Sequence, residues 1–260
     1  MAQPKGYVSS DYLKFAGESV QHIKQRTYEL MQIRAGQNVL DVGCGPASDT
    51  IELGRLVGPE GQVFGVDHDP EMVAEAERRA QEAGVAAWVE HRLADSAALP
   101  FESGAFDSCR SERLLQHLPE PAPTVSEMVR VTKRGGLVLL LDTDWGSGSF
   151  DTTETDIERR LARAHAELAA NNGYAGRQLY RLLKQQGLVD VSVEIYPNWS
   201  TDYGFCKRVT IQPDVERAAL QAGVVTEEEL ERLHAAYERA DAEGIFFGCT
   251  NQMLVVGRKP

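Results

Sequence analysis

Cysteine, basic residues and long apolar runs are all scarce in this sequence. Its four cysteines lie far apart in 260 residues with no CxxC pair, so neither a zinc site nor a disulfide framework is indicated. No apolar run approaches the roughly 20 residues that a membrane helix needs, and the opening MAQPKGYVSS lacks the apolar centre of a signal peptide. We therefore expect a cytoplasmic protein with no membrane span and no metal site.

The shortage of positive charge narrows the choice of partner. Lysine and arginine number 27 against 39 aspartates and glutamates, which gives a formal net charge of −12. Such a surface repels a phosphate backbone, so nucleic acid is not an expected partner. The 42% hydrophobic and 25% charged residues are typical of a globular protein, and a chain of this length commonly forms one α/β domain. We therefore interpret residues 1–260 as a single domain.

Short runs of β-forming residues alternate with helical stretches through the first 145 positions. The runs are NVLDV (38–42), QVFGVD (62–67), AAWVEH (86–91), AFDSCR (105–110) and GLVLLLD (136–142). Between most of them, apolar residues recur at three- and four-residue spacing, as on one face of a helix. This alternation predicts an α/β fold with a parallel sheet and crossover helices.

Capping residues mark several helix boundaries. Residues 69–71, Asp-Pro-Glu, predict the start of a helix, with an N-cap, a proline and an acid in the first turn. Gly84 predicts the end of the same helix. Residues 133–135, Lys-Arg-Gly, predict the end of another helix. The capping-box pattern occurs twice farther along, at Thr155 with Glu158 and at Thr226 with Glu229.

The pattern changes after residue 145. RQLYRLLKQQ predicts a helix that leads into a strand, VDVSVEIY, and one more helix is indicated by an apolar stripe at Ile157, Leu161, Ala164 and Leu168. About 48 residues separate that strand from the last one, FFGCTNQMLVVG. An insertion of this length, in a sheet with otherwise short connections, is usually functional. We therefore expect a helical lid at about 197–244.

The stretch NVLDVGCGPASD (38–49) places two glycines where a strand becomes a helix. Gly43 and Gly45 permit a tight turn with positive φ and close approach by a ligand, and Ser48 or Asp49 can start the next helix. A turn of this kind is typical of a nucleotide-cofactor site. A plain strand-to-helix turn is the alternative, because a pair of glycines alone is a weak signal.

Two acids follow at the ends of the next strands. Asp67 lies 22 residues after Gly45, and an acid at the carboxyl end of a strand can accept hydrogen bonds from ribose hydroxyls. The neighbouring Asp69 is the better helix cap, which leaves Asp67 available for a ligand. The segment LADSAALPF then places Asp95 beside the same crevice. This context favours a cofactor crevice over an ordinary turn.

VLDVGCG, the VD at 66–67 and LADSAALPFESGAFD at 93–107 together resemble the signature series of class I S-adenosylmethionine-dependent methyltransferases, in the branch that includes the quinone-biosynthesis C-methyltransferases. The resemblance is strong over residues 36–145, the expected cofactor-binding core. It implies a doubly wound, mostly parallel seven-stranded sheet in the order 3-2-1-4-5-7-6, with helices on both faces. Residues 1–35 are then an N-terminal helical cap, and 146–260 are the C-terminal half of the sheet with its lid.

The resemblance also implies roles toward S-adenosylmethionine and its product S-adenosylhomocysteine. The loop at Gly43 and Gly45 passes under the methionine part of the cofactor, and Asp41 helps to order that loop near the cofactor's amino group. Asp67 holds the ribose hydroxyls. The residues expected near the adenine are His68, Ala94, Asp95 and Ser96.

A nicotinamide dinucleotide is the competing cofactor, since it also uses a glycine turn and a ribose-binding acid. The dinucleotide-binding fingerprint requires a third glycine three residues after the second, and this sequence has Ser48 at that position. A dinucleotide also leaves Asp95 unexplained. The sequence therefore favours the methyl donor over the dinucleotide.

Residues for catalysis are expected in CRSERLLQHLPEP, at the carboxyl end of the fourth strand. The resemblance implies this place, because members of the family have residues there that face the transferred methyl group. His117 is the candidate base, because the ordinary pKa of histidine lies near neutrality, and packing beneath the loop is the alternative. Arg110 and Glu112 either contact the methionine end of the cofactor or pair with each other, and we favour cofactor contact for Arg110. No metal is required, because the sulfonium already activates the methyl group.

Several aromatic residues outside the core are candidates for the walls of an acceptor pocket: Tyr7, Tyr12, Phe15, Trp145, Trp199, Tyr203 and Phe205. They suit a small, partly apolar organic acceptor that is methylated on carbon or oxygen. The few basic residues in the insertion argue against a phosphorylated acceptor. Phe246 and Phe247 are expected in the core. The alternative functions are a cyclisation or rearrangement on the same fold, an NAD-dependent oxidoreductase, and a noncatalytic binding protein.

Overall fold

Seven strands alternate with helices in the computed structural model, which describes residues 21–260. The strands are β1 (Asn38–Val42), β2 (Gln62–Asp67), β3 (Val89–Leu93), β4 (Phe106–Glu112), β5 (Thr132–Phe150), β6 (Val189–Ser200) and β7 (Gly248–Arg258). The α-helices of this part are α1 (Gln21–Leu30), α2 (Thr50–Val57), α3 (Pro70–Glu82), α4 (Ala122–Val131), α5 (Thr155–Ala164), α6 (Ala175–Gln185), α7 (Tyr203–Val209), α8 (Gln212–Gln221) and α9 (Glu227–Ala242).

The strands form one sheet in the order β3-β2-β1-β4-β5-β7-β6. β1 to β5 pair in parallel, whereas β7 runs antiparallel to both β5 and β6. This confirms the prediction of a doubly wound, mostly parallel sheet in that order. In a sheet of this kind, ligands bind at the carboxyl ends of the parallel strands, beside the point where the strand order reverses. That point lies between β1 and β4.

Helices cover both faces of the sheet. Successive side chains of a strand point to opposite faces, and Val39 and Leu40 of β1 accordingly join two different apolar clusters. One cluster includes Leu53 of α2, and the other includes Val125 of α4 and Leu179 of α6. All five of these side chains are fully enclosed. The carboxyl ends of the strands between the two layers are therefore held rigidly.

Two of the predicted caps form and two do not. The Asp69 side chain accepts from the Glu71 amide at the start of α3, and Thr226 and Glu229 make both bonds of a capping box. The predicted box at Thr155 is wrong, because the Glu158 carboxylate instead accepts from the Phe150 amide at 3.0 Å. The helix predicted to end at 133–135 ends at Val131, where β5 begins.

The boundaries of three other elements differ from the sequence prediction. The strand predicted at 86–91 lies at 89–93, and Trp88, just before it, donates from Nε1 to the Gly54 carbonyl. β5 continues well beyond 142, to Phe150. Phe247 lies before β7 and is 43% exposed, so the expectation that it is a core residue is wrong, whereas Phe246 is buried as expected.

The predicted insertion contains α7, α8 and α9, which lie between β6 and β7. Their apolar side chains pack with those of α5 in a third core cluster that includes Leu161, Tyr203, Leu233 and Phe246. The candidate aromatics Tyr7, Tyr12 and Phe15 lie outside the described residues. Within residues 21–260, no helix combines the length and the apolar character that a membrane crossing requires.

Candidate active site

Glycines shape the turn that follows β1. Gly43 has φ +76° and Gly45 has φ +51°, both in the left-handed region that favours glycine. The Gly43 and Cys44 amides donate to the Val66 carbonyl of β2 at 2.8 and 3.0 Å, which ties the turn to the neighbouring strand. A Cβ at Gly43 would lie 3.1 Å from the Leu114 side chain. Both the backbone angle and the close packing therefore require glycine at position 43.

Asp67 is fixed at the end of β2 by two backbone amides. Its Oδ2 accepts from the Gly45 amide at 2.9 Å, and its Oδ1 accepts from the Asp69 amide at 3.0 Å. The Asp67 carbonyl accepts from the Ala94 amide at 2.9 Å. The side chain is only 11% exposed, so the carboxylate is held firmly at the edge of the crevice. The fold thus brings together Gly45, Asp67 and Ala94.

His68, Asp95 and Ser96 lie at the rim of this crevice. The His68 side chain is 85% exposed, with Nδ1 3.4 Å from Asp67 Oδ1. Asp95 is exposed and its Oδ1 accepts from the Ala97 amide at 2.9 Å. Ser96 Oγ lies 2.9 Å from Thr124 Oγ of α4, a bond that ties this loop to the next helix. Contacts of these three residues with an adenine stay a prediction.

Two observations indicate that the crevice can hold a nucleoside cofactor. Nothing lies within 4 Å of a Cβ built at Gly45, so the turn is open to a ligand there, and Asp67 offers a carboxylate whose position two amides have already set. A ribose diol needs an acceptor of that kind at the carboxyl end of β2. In residues 21–260, no three His, Cys, Asp or Glu side chains are placed to hold a metal ion.

A buried ionic cluster joins the glycine turn to α1 and β4. Its members are Lys24, Asp41, Asp49, Arg110 and Glu112. Arg110 is fully enclosed, with Nη1 2.8 Å from Asp49 Oδ1, Nη2 2.7 Å from Glu112 Oε2 and Nε 3.8 Å from Asp41 Oδ1. Of the two alternatives for Arg110, the pair with Glu112 is present. A contact between Arg110 and the cofactor stays a prediction.

Asp49 connects this cluster to α1. It immediately precedes α2, as expected, but its side chain makes no capping bond there. Its Oδ2 lies 2.6 Å from Lys24 Nζ, and its Oδ1 accepts from the Tyr28 hydroxyl at 2.5 Å. The carboxylate that would cap a surface helix is thus used to dock α1 against the turn.

Ionisation differs between the two aspartates of the cluster. Burial raises the pKa of Asp41, and Arg110 at 3.8 Å offsets this only in part. Burial acts on Asp49 in the same direction, but Arg110 and Lys24 lie closer to it and bring its pKa below the ordinary range. Asp49 therefore carries a fixed negative charge between two buried cations.

The loop after β4 positions His117. The 3₁₀ turn Leu115–His117 is anchored by Asp142 of β5, whose Oδ2 accepts from the Leu115 amide at 2.8 Å and the Gln116 amide at 3.3 Å. Asn171 Nδ2 donates to the His117 carbonyl at 3.0 Å. Burial raises the pKa of Asp142 to about 7, although the backbone amides oppose this. The loop is therefore held by a buried carboxyl group.

Gln116 determines the state of the His117 ring. Gln116 Oε1 accepts from Trp145 Nε1 at 2.7 Å, so its Nε2 faces Arg113 carbonyl oxygen at 3.2 Å and His117 Nε2 at 3.4 Å. A donor at Nε2 selects the neutral tautomer of His117 with its proton on Nδ1.

The pKa of His117 agrees with a neutral ring. Burial, together with the charges of Arg113 and His68, lowers this pKa to about 4, while Asp67 opposes the shift. The pKa near neutrality that suggested a general base is therefore absent in the folded chain, and the catalytic role of His117 stays a prediction.

Trp145 lines a cavity of about 60 Å³ between the end of β5, α5 and α8. Its ring stacks on His165, with ring centroids 4.3 Å apart. The β5–β7 register shifts between Asp144 and Ser149, so the chain around Trp145 bulges out of the ladder. Trp199 and Phe205 line a neighbouring cavity, whereas Tyr203 belongs to the third core cluster. Trp145 also lines that second cavity and donates from Nε1 to Gln116 in the loop after β4.

Three residues of this region were missed at the level of sequence. Asp142 ends the apolar run GLVLLLD, which is the same signal that drew attention to Asp41 and Asp67. Gln116 and Gln212 gave no signal, because a single glutamine in a loop or at a helix start has many ordinary roles. The contact of Gln116 with Trp145, and the place of Gln212 in the lining of the cavity beside Trp145, depend on the fold.

Comparisons with known proteins identify the chain at the level of a family. The profile of a family described as "Methyltransferase domain" matches residues 33–192. A demethylmenaquinone methyltransferase of Geobacillus stearothermophilus is 34% identical over 195 residues, which are 67% of this chain and 81% of that protein. An uncharacterized 37.1 kDa protein in transposon TN4556 of Streptomyces fradiae is 35% identical over 65% of this chain. The matched part is 48% of the length of that relative. In two further curated relatives, the chain also spans about half of the relative's length.

A solved structure extends the likeness to the fold. The geranyl diphosphate C-methyltransferase of Streptomyces coelicolor, in complex with Mg²⁺, geranyl-S-thiolodiphosphate and S-adenosyl-L-homocysteine, superposes with a TM-score of 0.58 at 16% identity. The match covers 92% of this chain and 76% of that one. At this identity the likeness concerns the fold alone.

Proposed function

Because this chain belongs to the class I S-adenosylmethionine-dependent methyltransferases, we propose that it transfers a methyl group to a small, partly apolar organic acceptor, on carbon or oxygen. Family membership confirms the predicted cofactor, S-adenosylmethionine. The observation that carries the proposal is the Asp67 carboxylate, held by the Gly45 and Asp69 amides at the end of β2.

The chain's own residues would bind and orient the donor. The Gly43–Gly45 turn would admit its methionine part, Asp67 would accept from the ribose hydroxyls, and Asp95 with Ser96 would border the adenine. When bound, S-adenosylmethionine supplies a methyl group that its sulfonium has already activated. The protein's task is therefore to align an acceptor and to exclude water from the reaction.

His117 is better suited to positioning the acceptor than to removing a proton. With its pKa at about 4, a neutral ring is a weak base, but its Nδ1–H is a hydrogen-bond donor. Gln116 supports this tautomer from the other side of the ring. We therefore assign His117 as a residue that orients an acceptor oxygen toward the donor.

The inserted helices α7 to α9 would close the acceptor side, since α8 and α9 line the cavity beside Trp145.

Incubating the purified protein with methyl-labelled S-adenosylmethionine and a metabolite extract tests the proposed activity. We expect a labelled small molecule whose formation is lost in Asp67→Ala. Label that stays entirely on the donor across extracts of varied origin, or label that appears equally with Asp67→Ala, contradicts methyl transfer at this site.

A further inference from the structure

Apolar side chains are exposed in a row along the edge strand β6. Val193, Ile195 and Trp199 are 40%, 56% and 62% exposed, and positions of odd number on one strand point to the same face. Phe247, just before β7, stacks on Trp199 with ring centroids 6.4 Å apart. We call these four residues the β6 stripe. A contiguous exposed apolar surface of this kind indicates a place of interaction.

Helix α6 stops short of the stripe. A Cβ on Gly176 of α6 would lie 2.8 Å from Met253 Cγ, so the helix packs directly on β7. Met253 pairs with Ile195, which places Ile195 one strand farther out. β6 is the last strand in the order of the described sheet. The sheet therefore extends beyond the helix layer on this face, and the stripe is the part that stays uncovered.

The outer face of α6 is cationic. Arg177, Tyr180, Arg181 and Lys184 recur at three- and four-residue spacing and are all exposed. Lys184 Nζ donates to the Leu188 carbonyl at 3.5 Å, just before β6, so this face borders the edge strand. Helices α6 and α7 together contain five lysines and arginines and no acid within their bounds. In a chain with a net charge of −12, this is a local reversal of sign.

The acid of β6 does not cancel this charge. Glu194 points to the opposite face of the sheet, where its carboxylate lies 2.7 Å from Arg26 Nη2 of α1. Arg177 is engaged at the end of β5, with Nε 2.8 Å from Asp144 Oδ2. The other two cations of α6 therefore carry the charge that a partner on this face would meet.

Two features of β6 disfavour an added strand or a second copy of the chain. Pro197 has no amide hydrogen, and the pairing with β7 shifts between Val189 and Ser192, where Asp190 has φ +50°. Prolines and bulges are common protections against edge-to-edge pairing. A second copy related by a twofold axis would also bring two cationic α6 helices together, because such an interface places the same surface on both sides. The occupant therefore needs to be apolar and anionic, without strand pairing.

We propose that the β6 stripe docks on the surface of an anionic lipid bilayer, with Arg181 and Lys184 at the headgroups and Ile195 and Trp199 between them. Aromatic and aliphatic side chains beside lysine and arginine are the combination that binds in the headgroup region. Acids elsewhere on the chain are screened beyond about 8–10 Å, so the local cations decide the attraction.

Docking in this way has a consequence for the crevice. β6 is antiparallel to β7, which is antiparallel to β5, so Trp199 lies at the carboxyl ends of the parallel strands. The crevice end of the sheet would thus stay near the bilayer, from which a partly apolar acceptor could enter. The docking itself does not depend on the proposed function, and its test needs no acceptor.

Flotation with phosphatidylglycerol vesicles tests the docking, with phosphatidylcholine vesicles as the uncharged comparison. We expect the wild type to bind phosphatidylglycerol about tenfold or more tightly, and to do so less at high salt. Trp199 reports the contact, because Trp88 and Trp145 are half-buried and donate hydrogen bonds within the fold. Its fluorescence should shift to shorter wavelength on vesicles, and the shift should be absent in Trp199→Phe. No binding to phosphatidylglycerol, or a shift that survives in Trp199→Phe, overturns the proposal.

Charge reversal tests the cationic face. Arg181→Glu combined with Lys184→Glu should weaken binding to phosphatidylglycerol by about thirtyfold or more. Arg55→Glu combined with Arg78→Glu is the control, since it makes the same change in net charge at exposed positions of α2 and α3. The control should weaken binding by less than about threefold. Equal losses in the two double variants would show that only total charge matters, which overturns the proposal.

Ile195→Ser tests the stripe, with Leu56→Ser at a 44% exposed position of α2 as its control. Ile195→Ser should weaken vesicle binding by about fivefold or more, and Leu56→Ser should leave it unchanged. Sedimentation velocity without lipid decides whether a second copy covers the stripe instead. A concentration-dependent dimer that Ile195→Ser abolishes overturns the proposal, whereas a wild type that stays monomeric supports it.

Discussion

Lys24 Nζ and Asp49 Oδ2 lie 2.6 Å apart in the interior, and this ion pair joins helix α1 to the turn that would hold the cofactor. The Lys24 and Asp49 side chains are 8% and 10% exposed, and both also contact other members of the ionic cluster, Arg110 and Glu112. A helix docked through buried charge is positioned in one register, because a shifted helix would leave those charges unpaired. Helix α1 and the glycine turn should therefore behave as one unit.

Asp49→Asn should destabilise the protein strongly. The change leaves Lys24 and Arg110 enclosed without their shared counter-charge, which costs about 3–5 kcal/mol in the free energy of unfolding. Urea denaturation measures this cost. Arg55→Gln is the control, since it removes an exposed ion pair with Glu52 and should change stability by less than about 1 kcal/mol. Equal effects of the two substitutions would show that the cluster contributes no more than a surface pair.

Gly43→Ala should cost more than Gly84→Ala. Both glycines have positive φ, +76° and +72°, so each substitution carries a penalty for a backbone angle that favours glycine, about 1–2 kcal/mol in the left-handed region. A Cβ at position 43 also lies 3.1 Å from Leu114, whereas nothing lies within 4 Å of one at position 84. Thermal unfolding should rank the two variants in this order, and only Gly43→Ala should weaken binding of S-adenosylhomocysteine. Indistinguishable variants would contradict the close packing of the turn.

Replacement of His117 distinguishes a positioning role from a general base. His117→Ala should lower turnover by about tenfold or more. His117→Asn should keep much of the turnover, because the Asn side chain places a donor near the position of Nδ1–H. Turnover in the wild type should be independent of the ionisation of His117 above about pH 5, because its pKa is lowered to about 4. If His117→Asn and His117→Ala lose turnover equally, and if the pH profile of turnover has an inflection near pH 6.5 in the wild type alone, His117 acts as a base. Binding of S-adenosylhomocysteine controls for folding.

His165 should make the fold sensitive to acid. Burial lowers its pKa to about 3, while the unfolded value is about 6.5, so the unfolded chain takes up the proton first. Its contribution to stability is therefore complete above about pH 6.5 and falls with pH toward 3. Between pH 7.5 and 5.0 this loss is about 2 kcal/mol.

His165→Phe keeps a ring against Trp145 and removes the titration. The drop in unfolding free energy between pH 7.5 and 5.0, measured in urea, should be smaller in this variant by about 2 kcal/mol. Between pH 7.5 and 8.5, the difference between variant and wild type should stay constant, because the imidazole is neutral in both states. An unchanged drop in acid would show that His165 takes up protons equally well when folded.

The core of the fold could be predicted from sequence because its signals are local. Alternating strands and helices, the glycine turn and the acids at strand ends each depend on a few neighbouring residues, and the sheet order follows from a resemblance to a known family. The capping box at Thr226 was predictable for the same reason. The box at Thr155 failed because a distant partner, the Phe150 amide, binds the Glu158 carboxylate instead.

The candidate site was predictable only where a residue's role is set by its own segment. The turn at the glycines and the position of Asp67 at a strand end could be predicted, whereas the contacts of Asp49 depend on Lys24 and Tyr28, which lie more than 20 residues away in the chain. The pKa of His117 depends on burial and on charges from other loops, none of which can be read from its neighbours. Gln212 becomes visible only when the inserted helices are packed against β5.

Calorimetric titration with S-adenosylhomocysteine, without added metal, tests the central claim most directly. We expect binding to the wild type, a loss of roughly 1–3 kcal/mol in binding free energy for Asp67→Ala, and no comparable loss for Asp69→Ala, which removes only a helix cap. NADH should not bind. Undiminished affinity in Asp67→Ala, or NADH that binds where S-adenosylhomocysteine does not, would contradict a methyl-donor site at the end of β2.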